Sequence, residues 1–223
     1  MWNLNTVFES LEYLRERAKS NTRVFHPLAT EAEIEKDKSL EDRVIFHFPA
    51  KSRSRFAVVV PGGAYTGVAS IQEGFPIAQN LNALGYHAFV LHYRTGKNAL
   101  APNPQDDLAA AVRFILDNAE QLNVDTKDYA VFGFSAGGHL AASYGTSTLG
   151  YGKYGLPKPG CLVLGYPVIT MEEHTHQDSR KNLLGKGGTK VDEERAKYSI
   201  EKQVDSAYPP SFIWNCAKDD TVP

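Results

Sequence analysis

The chain has 223 residues, of which 42% are hydrophobic and 22% charged, and its formal net charge at pH 7 is −2. That length suits one large core, and so small a charge gives no basic field for a phosphate backbone, so the composition argues against a nucleic-acid partner and for a small molecule. The start, Met1-Trp2-Asn3-Leu4-Asn5, lacks a basic region followed by a long apolar one, and no run approaches the ~20 apolar residues of a bilayer span. The expectation is a soluble cytoplasmic protein with no membrane contact.

Residues 4–19 set Leu4, Val7, Phe8, Leu11, Leu14 and Ala18 at three- and four-residue spacing, predicting an amphipathic helix. Residues 26–42 are polar with sparse apolar positions and read as a surface connection, so 1–42 is set apart from a domain at 43–223. From there strand-like and helix-like segments alternate: strands at 44–48, 56–60 and 88–92, with a helix near 74–84. A second helix is expected with Asn103 as N-cap and Pro104 in its first turn, burying Leu108, Ala111, Val112, Ile115 and Ala119. Later strands fall at 129–133, 161–166 and 212–216. Cys161 and Cys216 lie in the last two, which predicts buried thiols and no disulfide framework. Short apolar strands between amphipathic helices indicate an α/β fold, with a mostly parallel sheet covered on both faces. Chemistry in such sheets gathers at the carboxyl ends of the strands.

At one such end stands Gly133-Phe134-Ser135-Ala136-Gly137. A serine hydroxyl is a poor nucleophile at neutral pH and must be presented without steric cover beside a base. A sharp strand-to-helix turn presents it, and small neighbours let strand and helix approach. With 129–132 strand-like and 139–142 opening a helix, Ser135 is the candidate nucleophile. The backbone N–H of Ala136 is a candidate donor to an oxyanion. After the strand at 56–60 comes Pro61-Gly62-Gly63-Ala64-Tyr65, similar to the HGGG-type loop of esterases and lipases, with Pro61 for the histidine and Ala64 for the last glycine. That match makes the amides of Gly63 and Ala64 candidate oxyanion donors, with Tyr65 at the substrate pocket. After 212–216, Asp219 or the adjacent Asp220 sits where this arrangement places the carboxylate that orients an imidazole.

Five runs, PGGAY at 61–65, GFSAGGHLA at 133–141, GYPVIT at 165–170, THQDSRKNLLG at 175–185 and DDTVP at 219–223, resemble the α/β-hydrolase esterases that include acetyl xylan esterases and related BD-FAE-like carbohydrate esterases. The resemblance covers about 44–223. It implies the α/β-hydrolase fold, a carboxylic-ester hydrolase working through a Ser135 acyl-enzyme, and a short-acyl ester as partner. The acid stands four residues before the proline of D-x-x-V-P, which selects Asp219. It also implies a small cap at 170–200, with His176 at the pocket through its Thr-His match. Glu172, Glu173, His174, His176 and Asp178 invite a metal reading. His-x-His spacing faces one way only in a strand, and no second ligand cluster is evident, so neither metal nor other cofactor is expected.

The general base is what the chain lacks. The imidazole should follow the acid on a later loop, and the seven histidines, His26, His47, His87, His92, His139, His174 and His176, all precede it. The expectation is a shortened product of a longer hydrolase, missing its last strand and helix, with the strand at 212–216 an uncovered edge that favours association into homo-oligomers. A serine peptidase of the same fold and a non-catalytic binding protein are the alternatives.

Overall fold

The computed structural model describes residues 4–188 and 190–222, so Pro223 of the DDTVP run lies outside the described residues. The strands are β1 (Phe25–Pro27), β2 (Val44–Phe48), β3 (Ser54–Val60), β4 (His87–His92), β5 (Val124–Phe134), β6 (Cys161–Gly165) and β7 (Ser211–Trp214). They form one sheet in the order β1-β2-β4-β3-β5-β6-β7. β2 runs antiparallel to both β1 and β4, and the remaining neighbours are parallel.

The unbroken apolar runs of β3 and β4 follow from burial on both faces, because successive side chains point to opposite sides. Val58, Val60, Phe89 and Leu91 enter one core, while Val59, Ala88 and Val90 enter the other. The larger core packs beneath α4 (Asn103–Asp117) and α6 (Ser135–Tyr144). The smaller lies beneath α3 (Phe75–Ala83), backed by Tyr13 and Leu14 of α1 (Leu4–Lys19). In α4, Leu108, Ala111, Val112 and Ile115 are all fully buried at helical spacing. Each such large side chain contributes about 1.5–3 kcal/mol relative to exposure.

Several local expectations are corrected. Residues 26–42 are more than a surface connection. β1 adds a strand to the sheet, and α2 (Glu31–Lys36) starts with a capping box in which Thr30 and Glu33 bond each other's backbone amides. Alternating polarity hid this segment because β1 has only three residues. The apolar stripe of α1 is not buried as a whole: Phe8 is 68% exposed, and Tyr13 stacks on Phe48 instead. Asn103 is the first helical residue of α4 rather than a side-chain cap. Its amide donates to the Asn98 carbonyl, and the flanking Pro102 and Pro104 preset the entry. Ala119 begins a separate short helix, α5 (Ala119–Leu122). Cys216 is exposed because β7 ends at Trp214, and Cys161 is half-buried.

Register places the site. Val60 pairs with Gly133, Phe134 with Gly165, and Gly165 with Trp214, so β3, β5, β6 and β7 end side by side. The loops leaving those four strands meet along one edge. The segment 170–200, where a cap is expected, contains α7 (Gln177–Gly188), broken by Gly185 at φ +69°, and α8 (Asp192–Tyr198).

Candidate active site

β5 passes into α6 with no intervening loop: Phe134 is extended and Ser135 has φ +51°. A non-glycine residue in this left-handed region costs about 1–2 kcal/mol, and the surrounding contacts must hold it there. They do so by close approach. A Cβ on Gly137 would stand 2.2 Å from the Val60 carbonyl oxygen, so only glycine lets α6 lie this near β3. The Ser135 carbonyl accepts from the Val168 amide at 3.0 Å, fixing the turn to the segment after β6. Ser135 is half-buried, and among the described residues its hydroxyl has no hydrogen-bond partner. Ala136, in the first turn of α6, has an amide with no intrahelical acceptor.

The Pro61–Tyr65 loop lies directly against this turn: a Cβ on Gly62 would meet the Phe134 carbonyl at 2.7 Å and Ser135 Cβ at 2.8 Å. Every carbonyl of the loop is bonded. Pro61 O accepts from the Tyr93 hydroxyl, Gly62 O from the Ala69 amide, Gly63 O from the Thr66 amide, and Tyr65 O from the Gly96 amide. Ala64 O accepts from Asn182 Nδ2 at 2.8 Å. In a trans peptide the N–H points opposite to the C=O, so tying these carbonyls back turns the next amides the other way. Gly63, Ala64 and Tyr65 all have positive φ, at 127°, 56° and 58°, and among the described residues their amides have no acceptor. Gly62 differs, because its amide donates to Glu73 Oε2 at 2.6 Å.

Asp219 and Asp220 are distinguished by their surroundings. Asp219 Oδ1 accepts from the amides of Thr221 at 3.0 Å and Val222 at 2.9 Å, which fixes its carboxylate within its loop. It is half-buried, whereas Asp220 is exposed. Asp219 also acts electrostatically on Tyr166, whose phenol is pushed up by burial first and then by the nearby Glu73 and Asp219 carboxylates.

Five of the seven histidines, His47, His87, His92, His139 and His176, have hydrogen-bond partners other than Ser135. His139 is fully buried; its Nε2 faces the Tyr198 carbonyl at 2.7 Å and must donate, so Nδ1 accepts from the Tyr65 hydroxyl at 2.8 Å. Burial holds its pKa down to about 4, opposed by the bond to Tyr198. His47 and His87 bond each other at 3.0 Å at the opposite end of the sheet, and His92 bonds the Ser70 hydroxyl. His176 Nδ1 pairs with the Ser179 hydroxyl at 2.9 Å. It lines a cavity of about 480 Å³ with Val168, Thr170, His174, Asn215 and Val222. Tyr65 is corrected: 0% exposed and bonded to His139, its side chain belongs to the core, and only its backbone faces the site. The acidic residues of the cap do not assemble around a point. Glu172 pairs with Arg195 and Lys202, and among the described residues no group of three or more His, Cys, Asp or Glu is placed to hold a metal ion.

Sequence reasoning missed Glu73, Tyr166 and Asn182. A signal for Glu73 was present, since it is the one charged residue between Arg55 and Arg94, in a stretch otherwise fit for burial. Asn182 carries no such mark. It reaches Ala64 O and the Thr66 hydroxyl, both at 2.8 Å, across more than a hundred residues of chain.

A family model described as BD-FAE matches residues 45–151. The chain is 39% identical to endo-1,4-beta-xylanase B of Butyrivibrio fibrisolvens over 74% of its own length and 27% of that protein. It is 33% identical to an acetylxylan esterase of Xylanibacter ruminicola over 81% of its length and 37% of that protein. The chain thus spans well under half of these curated relatives. Among solved structures, it matches an acetyl ester-xyloside bifunctional hydrolase from Caldicellulosiruptor lactoaceticus at 32% identity and TM-score 0.75, covering 89% of this chain and 76% of that one.

Proposed function

The chain belongs to the BD-FAE family of α/β hydrolases, and from that premise we propose that it carries the nucleophile, oxyanion loop and acid of a carboxylic-ester hydrolase acting on short acyl esters, acetyl groups on carbohydrate among them. The observation that carries this reading is Ser135, held at φ +51° against the Pro61–Tyr65 loop, with its hydroxyl and the amides of Gly63 and Ala64 all lacking partners among the described residues.

In this reading Ser135 Oγ attacks the acyl carbon while an imidazole takes its proton. The carbonyl oxygen becomes an oxyanion and is met by the amides of Gly63, Ala64 and Ala136. Collapse expels the alcohol, which receives that proton, and water then hydrolyses the acyl-enzyme by the same route. Asp219, fixed by two backbone amides, orients the imidazole. His139 is not that imidazole, because both its ring nitrogens are spent on Tyr65 and Tyr198. His176, at the wall of the 480 Å³ cavity, is assigned to the substrate pocket.

Fluorophosphonate labelling and p-nitrophenyl acetate hydrolysis by the full-length protein test the reading, with S135A as control. Labelling and turnover should both vanish in S135A. If the full-length protein shows neither, the esterase reading is wrong. Faster turnover of a short peptide than of an acetylated xylo-oligosaccharide would favour a peptidase.

A further inference from the structure

Glu73 sits in the turn that leads into α3 and is buried. Its two carboxylate oxygens have separate tasks: Oε2 accepts from the Gly62 amide at 2.6 Å and Oε1 from the Tyr166 hydroxyl at 3.1 Å. Tyr166 follows β6 and packs against Phe134 and Trp214, with ring centroids 6.1 and 6.2 Å away. The carboxylate therefore bridges the loop after β3 and the segment after β6, on either side of the Ser135 turn. It is close to the nucleophile, since Oε2 and Ser135 Cβ lie 2.7 and 2.8 Å from the same point, where a Gly62 Cβ would stand.

A buried carboxylate is costly unless its oxygens are bonded. Burial pushes Glu73 above the ordinary carboxylate range, and the Gly62 amide and the Tyr166 hydroxyl oppose the shift. A negative group so near a developing oxyanion would repel it, so electrostatic assistance to the acyl oxygen cannot be its use. Its effect on the loop is geometric. The Gly62 amide is the first of four successive loop amides, from Gly62 to Tyr65, and the only one of them with an acceptor among the described residues.

We propose that Glu73 is a positioning residue that sets the register of the oxyanion loop: by occupying the Gly62 amide and anchoring it to Tyr166, it leaves the amides of Gly63 and Ala64, and not that of Gly62, to receive the acyl oxygen. The proposal rests on the esterase reading for its catalytic consequence, but the bond itself can be tested without turnover.

Two measurements are made on the full-length protein. Hydrogen exchange at glycine amides, followed by NMR with selective labelling, should show Gly62 protected and Gly63 exchanging in the wild type. E73Q can still accept from Gly62 and donate to Tyr166, so it should keep that pattern; E73L should lose Gly62 protection. In p-nitrophenyl acetate kinetics, E73L should lower kcat roughly 100-fold with KM within about twofold, E73Q should recover most of the rate, and Y166F should fall between them. A Gly62 amide that exchanges as fast in the wild type as in E73L overturns the proposal whether or not the protein is active. Full kcat in E73L with turnover intact in the wild type overturns it while sparing the esterase reading. If E73L does not fold, Y166F and E73Q decide: a loss of kcat in Y166F with E73Q near wild type supports the bridge, whereas a loss in E73Q with Y166F near wild type would mean that the negative charge, and not the bridge, is what matters, and would overturn the proposal.

Discussion

His139 offers a direct test of how the elbow helix is held. Its imidazole is enclosed, with Nε2–H donated to the Tyr198 carbonyl and Nδ1 accepting from Tyr65, and burial depresses its pKa from 6.5 to about 4. In the unfolded chain the same residue takes up a proton near pH 6.5. Between those values the unfolded state binds more protons than the folded one, so stability falls as the pH drops below about 6.5, and the loss levels off below about 4. The displacement corresponds to roughly 3 kcal/mol between pH 7 and pH 4, a large share of the stability of an ordinary domain. Burial also depresses His47 and His87, which adds to the slope. The variant His139→Gln isolates the contribution of one residue, because the amide can still donate to Tyr198 and accept from Tyr65 but does not titrate. Urea unfolding of both proteins at pH 7 and pH 4 should show the variant losing about 3 kcal/mol less than the wild type over that interval. Equal losses would refute the linkage.

Three further outcomes follow from local geometry. Replacing Ser135 by glycine should abolish fluorophosphonate labelling yet raise stability by about 1 kcal/mol, because glycine adopts φ +51° without strain; an unchanged urea midpoint would count against strain at the elbow. Gly137→Ala pushes a Cβ to 2.2 Å from the Val60 carbonyl, so a loss of more than about 4 kcal/mol is expected in thermal or chemical denaturation, and a near-normal melt would mean that α6 can move away from β3. Asp107 is fully buried and bonded to the backbone amide and guanidinium of Arg94, with Arg43 at 3.9 Å. Asp107→Ala should therefore cost about 3–5 kcal/mol by stranding a buried cation, and denaturation showing less than about 1 kcal/mol would imply that Arg94 finds water.

The main strands and helices from Val44 onward and the candidate nucleophile were legible in the sequence because both are encoded locally. A helix reveals itself by spacing, a doubly covered strand by an unbroken apolar run, and an elbow by small residues between the two, so Ser135 and Ala136 could be singled out from the residues, while Gly63 and Ala64 were singled out by their similarity to the HGGG-type loop. The choice of Asp219 over Asp220 came from the family resemblance, through the D-x-x-V-P run, and not from the residues alone.

Groups whose meaning depends on what folds against them were not legible. β1 is too short to announce itself and exists because β2 offers it an edge. Tyr65 looked like a pocket residue from its place beside the loop, yet at φ +58° its ring turns inward to His139 while its backbone stays at the site. Glu73 is an isolated carboxylate in the sequence, and only the fold supplies Gly62 and Tyr166, from two different loops, to bond its two oxygens. Asn182 reaches the same loop from the cap. The local pattern determined that a serine would stand at a tight strand-to-helix turn; tertiary packing decided which loop amides are left without an acceptor among the described residues, because an amide's direction is set by where its neighbouring carbonyl is tied, and those ties come from distant parts of the chain.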